Sequence, residues 1–130
     1  MSEALEKAKK RLIEGEYTCV IDEFFSKERG IKPIMDWLRA GAIGSVCADR
    51  VIGKAAAMLL VYGGVKELYA EIISEHALEF LETADVLVSF GEKTKYIINR
   101  KGDGMCPMEE RALNLSDPVE AFKVFSSLRA

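Results

Sequence analysis

The feature that most constrains the fold of this chain is an unbroken apolar run from Ala55 to Tyr62. A surface helix carries a polar face, so a helix that is apolar all round is expected to be buried. Gly53 and Lys54 precede the run. Gly63-Gly64 follow it with the residue type that tolerates the left-handed conformation beyond a helix end. The run therefore predicts a buried central helix around which the other elements pack.

Helices and strands alternate on both sides of this central helix. Apolar periodicity and capping residues predict helices over residues 2–14, from Pro33 to about Ala40, after Ser74-Glu75, from Pro107, and from Pro118 to near Leu128. Strands are predicted at 17–21, 43–48 (interrupted by Asp49-Arg50 and resumed at 51–52), 65–73 and 86–90, with a short fifth at 96–98. The segment DEFFSKERG is predicted to be a loop. This alternation predicts an α/β three-layer sandwich with a mixed sheet of about five strands, in a single domain over residues 1–130.

The bulk properties exclude several classes of protein. A net charge of −3 over 130 residues argues against nucleic acid as a partner, because domains that bind it usually carry a basic excess. No apolar run approaches the roughly 18 residues of a membrane span, and the start MSEALEKAKK is too charged for a signal peptide. Cys19, Cys47 and Cys106 are widely spaced and odd in number, which fits a reducing cytoplasm better than a disulfide framework. We therefore expect a cytoplasmic protein with Cys19 and Cys47 in its core.

The junction before the central helix is the first candidate site. The backbone N–H groups and the dipole at a helix start attract anions, Gly53 permits close approach, and Lys54 adds a positive charge. The residues do not match the phosphate-binding pattern G-x-x-x-x-G-K-[ST], so a nucleotide P-loop is not indicated. Alternatively, Gly53 is a turn residue and Lys54 a solvated charge. Asp49 is either part of a turn or lies beside the helix start, where it could accept hydrogen bonds from a bound base or sugar.

Cys106 is the second candidate, because it precedes the helix that begins at Pro107. A thiol at a helix start is shifted toward thiolate, and Arg100 and Lys101 would add to this if they fold nearby. The alternative is a small, semi-buried residue in a capping loop. His76 stands without the second histidine or cysteine pair of a conventional zinc site, so we predict a structural histidine and no metal or cofactor.

Three segments resemble a small prokaryotic family, domain of unknown function 1893. They are the run from GIKP, the run ADRVIGKAAAMLLVYGGVKELYAEIISEHALE, and YIINRKGDGMCPMEE, and the similarity extends over roughly residues 17–125, the expected core of the domain. The resemblance implies a cytidine deaminase-like fold, a mixed five-stranded sheet between helices. It carries no established activity.

In true deaminases of that fold, a His-x-Glu motif opens the central helix and Pro-Cys-x-x-Cys opens the next, together holding zinc and a proton-shuttling Glu. The first motif would fall at Gly53-Lys54-Ala55 and the second near Ser74-Glu75-His76-Ala77. Those positions lack the zinc ligands and the catalytic Glu. The resemblance therefore implies a deaminase-like protein without zinc-dependent deaminase activity.

We still expect a cleft at the carboxyl ends of the strands, where the helices after Gly53 and Ser74 would begin side by side. We expect the segment NRKGDGMCPME to close over it, so that Asn99, Arg100 and Lys101 contact a ligand and Cys106 approaches Lys54. A nucleotide-like or other small anionic molecule would then bind to the two helix starts.

Three functions stay open at this point. The first is a non-catalytic binding protein that uses this cleft. The second is an enzyme with Cys106 as nucleophile, Lys54 as electrostatic stabiliser, and Asp49 or Glu109 as acid or base. The third is a structural or interaction subunit that forms a homo-oligomer through the apolar residues Phe24, Phe25, Trp37, Phe122 and Phe125.

Overall fold

The structure, a computed structural model, describes residues 1–127 and contains a mixed five-stranded sheet. The strands are β1 (Cys19–Ile21), β2 (Phe24–Ser26), β3 (Val46–Ile52), β4 (Glu67–Ser74) and β5 (Leu87–Thr94). They lie in the order β2-β1-β3-β4-β5. β1 is antiparallel to both β2 and β3, whereas β3, β4 and β5 are parallel. The predicted α/β class and mixed five-stranded sheet are confirmed.

Helices cover both faces of the sheet. They are α1 (Glu3–Glu14), α2 (Lys32–Arg39), α3 (Lys54–Tyr62), α4 (Glu75–Thr83), α5 (Pro107–Ala112) and α6 (Pro118–Ser126). α1 packs its buried residues Leu5, Ala8 and Leu12 on one face. The other helices contribute to a larger apolar cluster on the opposite face. The sheet therefore lies between two helical layers.

The central helix α3 is buried from Ala55 to Leu60, as the apolar run predicted. At its C-terminal end Gly64 has a φ of +91°, the left-handed conformation that favours glycine. A Cβ atom on Gly63 would lie 2.4 Å from the ring of Trp37, so this glycine also lets α2 approach closely. α3 is thus the core element of the larger layer.

Two strand predictions are wrong. Residues 24–26, predicted as loop, form β2, because β1 turns back on itself through a tight hairpin at Asp22, which has a φ of +48°. Residues 96–98, predicted as the fifth strand, form no strand, and Ile98 makes only an isolated bridge to Met105. The true fifth strand is therefore β2, a hairpin partner too short to show a periodic pattern.

The predicted interruption at Asp49-Arg50 is also wrong, since β3 runs through both residues. The Arg50 guanidinium donates to the carbonyl oxygens of Tyr17 (2.8 Å) and Leu12 (2.9 Å), and it pairs with Glu71 at 2.8 Å. A charged side chain is therefore accommodated within the strand because it satisfies carbonyls near the end of α1.

Smaller differences occur at the helices. Apolar periodicity over residues 2–14 predicts Ile13 on the apolar face of α1, but this side chain is 47% exposed. α6 ends at Ser126, and the predicted end near Leu128 lies outside the described residues. Within residues 1–127, no helix is long and apolar enough to cross a membrane.

The burial of α3 predicts a large difference between two leucine truncations. Leu60 is fully buried in α3, whereas Leu87 at the start of β5 is 71% exposed. Leu60→Ala should lower the free energy of unfolding by about 2–5 kcal/mol through lost burial and an added cavity. Leu87→Ala should change it by about 0.5 kcal/mol. Urea unfolding followed by circular dichroism measures both, and equal losses would contradict a core centred on α3.

Candidate functional site

The starts of α3 and α4 lie side by side at the carboxyl edge of the sheet. β3 and β4 are parallel neighbours, with Ile52 opposite Ile73, and each leads directly into its helix. The first backbone N–H groups of a helix have no partner within the helix and carry the positive end of its dipole. Two such groups of donors therefore meet at this edge, where the sequence predicted an anion site.

The carboxylate of Glu109, from α5, occupies this position. Its Oε1 accepts a hydrogen bond from the Lys54 backbone N–H at 2.7 Å and one from the Ser74 hydroxyl at 3.2 Å. Its Oε2 accepts from the Ile97 backbone N–H at 2.9 Å. Glu109 is 1% exposed. The chain thus supplies its own anion to the convergent helix starts.

Gly53 and Ser74 fit this arrangement in different ways. Gly53 makes no side-chain cap for α3, and a Cβ atom there would lie 3.0 Å from Oε2 of Glu109 and 2.9 Å from Ile97 Cγ1. Ser74 caps α4 by accepting from the Ala77 N–H at 3.1 Å, while its hydroxyl proton is directed to Glu109. Both residues are therefore committed to contacts within the protein.

Lys54 holds α5 at both of its ends. Its backbone N–H binds Glu109, and its Nζ donates to the carbonyl oxygen of Leu113, the C-cap residue of α5, at 3.2 Å. Helix carbonyls at a C-terminus carry partial negative charge, so an ammonium group is favoured there. The charge expected to meet a ligand is used to dock α5.

The segment from Asn99 to Cys106 forms the turn that precedes α5. The Asn99 side-chain oxygen accepts from the Gly102 N–H at 2.8 Å, and its amide donates to Asp103 at 3.0 Å. Arg100 and Lys101 are exposed on this turn. The Cys106 N–H donates to the Ile97 carbonyl at 2.7 Å, while its partly exposed side chain makes no capping hydrogen bond.

Asp49 lies away from these contacts, in the interior of β3. It is directly opposite Cys19 on β1, and its Oδ1 accepts from the Val51 N–H at 3.2 Å. Burial raises the pKa of Asp49 to about 7. Cys19 and Cys47, predicted as core residues, are buried beside it. The interpretation of Asp49 as a turn residue is therefore wrong, and its side chain lies beside the two thiols.

An open groove of about 300 Å³ follows the same edge of the sheet. Its walls include Val51, Ile72, Glu92 and the segment 96–98. Ile97 belongs to both places, because it lines the groove and its N–H binds Glu109. The groove therefore adjoins the helix starts and offers an apolar surface with one aromatic side chain, Tyr96.

The sequence interpretation named Glu109 only as a possible acid or base and did not identify Ile97 as part of a site. The one local signal was that Glu109 is an acidic residue in the first turn of the helix that begins at Pro107. The partner that makes Glu109 important, Lys54, is distant in the sequence, so the contact could not be derived from spacing.

The comparisons with known proteins agree with the resemblance seen in the sequence. Residues 7–128 match the family described as Domain of unknown function (DUF1893). The fold is similar to the crystal structure of a DUF1893 family protein from Thermotoga maritima, with a TM-score of 0.90 and 27% sequence identity. That similarity covers 98% of this chain and 90% of the other. The search of curated proteins gave no match.

The contacts of Glu109 predict a measurable loss on neutralisation. In Glu109→Gln the shape is kept, but the amide –NH₂ group replaces one acceptor that faces backbone donors. We expect the free energy of unfolding to fall by about 1–3 kcal/mol, the cost of losing charge-assisted hydrogen bonds at a buried site. Urea unfolding at neutral pH measures this.

Glu110→Gln provides the matched control, since Glu110 is the next residue of α5 and is exposed. Its effect should stay within about 0.5 kcal/mol. Amide hydrogen exchange at Lys54 and Ile97 should be faster only in Glu109→Gln. If both variants had the same stability and exchange rates, Glu109 would not cap α3.

Proposed function

The chain belongs to the DUF1893 family, and from the contacts at its helix starts we propose that it is a non-catalytic binding protein for a nucleotide-like or other anionic small molecule. The ligand's anionic group would take the place of the Glu109 carboxylate at the starts of α3 and α4. In the ligand-free protein, Glu109 keeps this place filled. When the ligand binds, its anionic group would replace the Glu109 carboxylate, and α5 would be released in the same step.

The observation that carries the proposal is the set of donors around Glu109. The Lys54 N–H, the Ser74 hydroxyl and the Ile97 N–H converge on one carboxylate within 2.7–3.2 Å. Phosphate and carboxylate oxygens accept the same hydrogen bonds, and backbone donors at helix starts are a common way of holding them. A place that binds an internal carboxylate this closely has the chemistry to bind an external one.

Displacement of α5 is favoured by its small contribution to the core. The helix spans only Pro107–Ala112, and its buried residues are Glu109 and Ala112. Met108 adds a partly buried contact. Because little apolar surface is lost when such a short segment leaves, the cost of opening is set mainly by the hydrogen bonds of Glu109 and Lys54. A ligand that restores those hydrogen bonds offsets most of the cost.

The adjacent groove favours a ligand with an apolar or aromatic part. Val51, Ile72 and Tyr96 present apolar and aromatic surface at the carboxyl ends of the strands, where open α/β sheets commonly bind ligands. A nucleoside monophosphate combines both requirements, with an aromatic base for the groove and a phosphate for the helix starts. This is why a nucleotide-like ligand is preferred over a bare inorganic anion.

A cytidine deaminase-like scaffold is part of the same proposal. Its support is the mixed five-stranded sheet between helices and the two helices that begin together after Gly53 and Ser74. The first turns of these helices carry Lys54-Ala55 and Glu75-His76-Ala77 in place of the deaminase zinc motifs. Zinc-dependent deamination is accordingly outside the proposed function.

The two other functions have less support from the contacts. Lys54 donates to α5, and Asp49 accepts from Val51. Within residues 1–127, no hydrogen bond links either side chain to the Cys106 thiol. Of the apolar residues considered for an interface, Trp37 and Phe125 are buried and Phe24 and Phe122 pack against the core. Phe25 is exposed and contacts Tyr17.

Removal of the internal carboxylate tests the proposal. Glu109→Ala leaves the three donors without their acceptor and leaves space for a small anion. Phosphate at ten times its Kd should stabilise this variant by about 1.4 kcal/mol, which raises its unfolding temperature by about 4 °C. Differential scanning fluorimetry with phosphate, acetate and adenosine monophosphate measures the response.

Glu110→Ala is the matched control and should respond to anions no more than the wild-type chain. In the wild-type chain, adenosine monophosphate should shift the amide NMR signals of Lys54, Ala77 and Ile97, because it competes with Glu109 at those positions. A folded Glu109→Ala variant that responds to every anion as Glu110→Ala does would exclude an external anion from this site.

A further inference from the structure

We propose that Cys19, Cys47 and Asp49 form a binding site for a zinc-class divalent cation, built on strands β1 and β3. One side-chain atom from each residue could serve as a ligand, and all three atoms lie within 4.8 Å of one another. All three residues are buried, with Cys47 fully enclosed and Asp49 8% exposed. The site is separate from the helix starts and does not rest on the function proposed for them.

The register of the two strands brings these residues together. Cys19 and Asp49 are directly opposite each other in the antiparallel pair, so their side chains extend from the same face of the sheet. Cys47 precedes Asp49 by two residues on β3, which returns its side chain to that face as well. Two neighbouring strands therefore present the three ligands from a rigid scaffold, which suits a metal site better than a loop does.

The spacing is close to that of a tetrahedral site. Zinc–sulfur bonds of about 2.3 Å place tetrahedral ligand atoms about 3.8 Å apart. The three ligand atoms, at separations of up to 4.8 Å, need to move together by about 1 Å at most to reach this geometry.

Asp49 has no directly paired basic side chain among residues 1–127. Its carboxylate is buried. Arg50, its sequence neighbour, is engaged with Leu12, Tyr17 and Glu71. Burial of a carboxylate without a directly paired charge is costly, and either a bound proton or a bound cation relieves that cost.

A divalent cation bound by the cluster would displace the two thiol protons and bind the resulting thiolates.

The ligand types decide which cation is expected. Thiolate sulfur is soft and selects zinc-class ions over magnesium and calcium, which prefer oxygen. Two thiolates and one carboxylate leave the fourth tetrahedral position for water or another small donor. The metal would thus lie on the strands, unlike the zinc of true deaminases, which the helix starts hold.

Cobalt(II) titration of the full chain tests the proposal, because cobalt occupies zinc sites and absorbs light. The protein is reduced with a phosphine, stripped with EDTA and desalted before titration. We expect a thiolate-to-cobalt charge-transfer band that saturates at one cobalt per chain and disappears when zinc is added. Absence of this band in the wild-type chain would overturn the proposal.

Four variants identify the ligands. Cys19→Ser and Cys47→Ser should each lose a large part of the charge-transfer intensity, and Cys106→Ser, the matched control, should keep all of it. Asp49→Asn keeps the shape of the side chain and both thiols, so it should fold. Its affinity for cobalt should fall by more than about 100-fold. Loss of a group that only hydrogen-bonds to a metal ligand already lowers metal affinity by about 10- to 100-fold.

Two results would assign any cobalt to another place. One is a band that Cys106→Ser abolishes, and the other is an Asp49→Asn affinity equal to that of the wild-type chain. If either core serine variant fails to fold, Asp49→Asn and Cys106→Ser still decide the outcome. Glu109→Gln should leave cobalt binding unchanged, so failure of this proposal and failure of the anion-binding proposal can be distinguished.

Discussion

The structure depends on the burial of α3, a helix that has no polar side chain between its first residue, Lys54, and its last, Tyr62. α3 can be surrounded on all sides because Ala55 to Leu60 present only apolar atoms. This solution leaves the backbone N–H groups at its start without partners, and they must be satisfied by some other part of the chain. Gly53 has no side chain to cap them, so the carboxylate of Glu109 does so from α5. The candidate site therefore exists because the first N–H group of the core helix needs a hydrogen-bond acceptor from elsewhere in the chain.

The predictions from the sequence succeeded where a local pattern determined the outcome. The apolar run of α3 and the start of α4 at Ser74-Glu75 each depend on neighbouring residues, and each occurs as predicted. The predictions failed where pairing with a neighbouring strand determined whether a segment forms a strand. β2 contains three residues and exists because the hairpin with β1 satisfies its backbone, whereas Tyr96 to Ile98 have strand-like side chains but no neighbouring strand to pair with.

For the candidate site, too, the local features were predicted and the contacts between distant residues were not. Its location at the helix starts followed from helix geometry, but its occupant did not, because the hydrogen bond from Lys54 to Glu109 joins residues 55 positions apart. Asp49 illustrates the reverse error. A polar pair within an apolar segment suggested a turn, yet Asp49 faces the two core thiols and Arg50 reaches carbonyls near the end of α1. The environment of Asp49 and Arg50 is determined by residues on other elements, which the local sequence does not reveal.

The position of Glu109 in the chain also sets the order in which the molecule can be completed. Synthesis runs from the N-terminus, so the five strands and helices α1 to α4 have all been made by Thr94, before Glu109 leaves the ribosome. Until Glu109 has been made, the Lys54 N–H and the Ser74 hydroxyl have no carboxylate from α5 to bind. The hydrogen bonding at the starts of α3 and α4 is therefore completed only after every strand of the sheet has been synthesised.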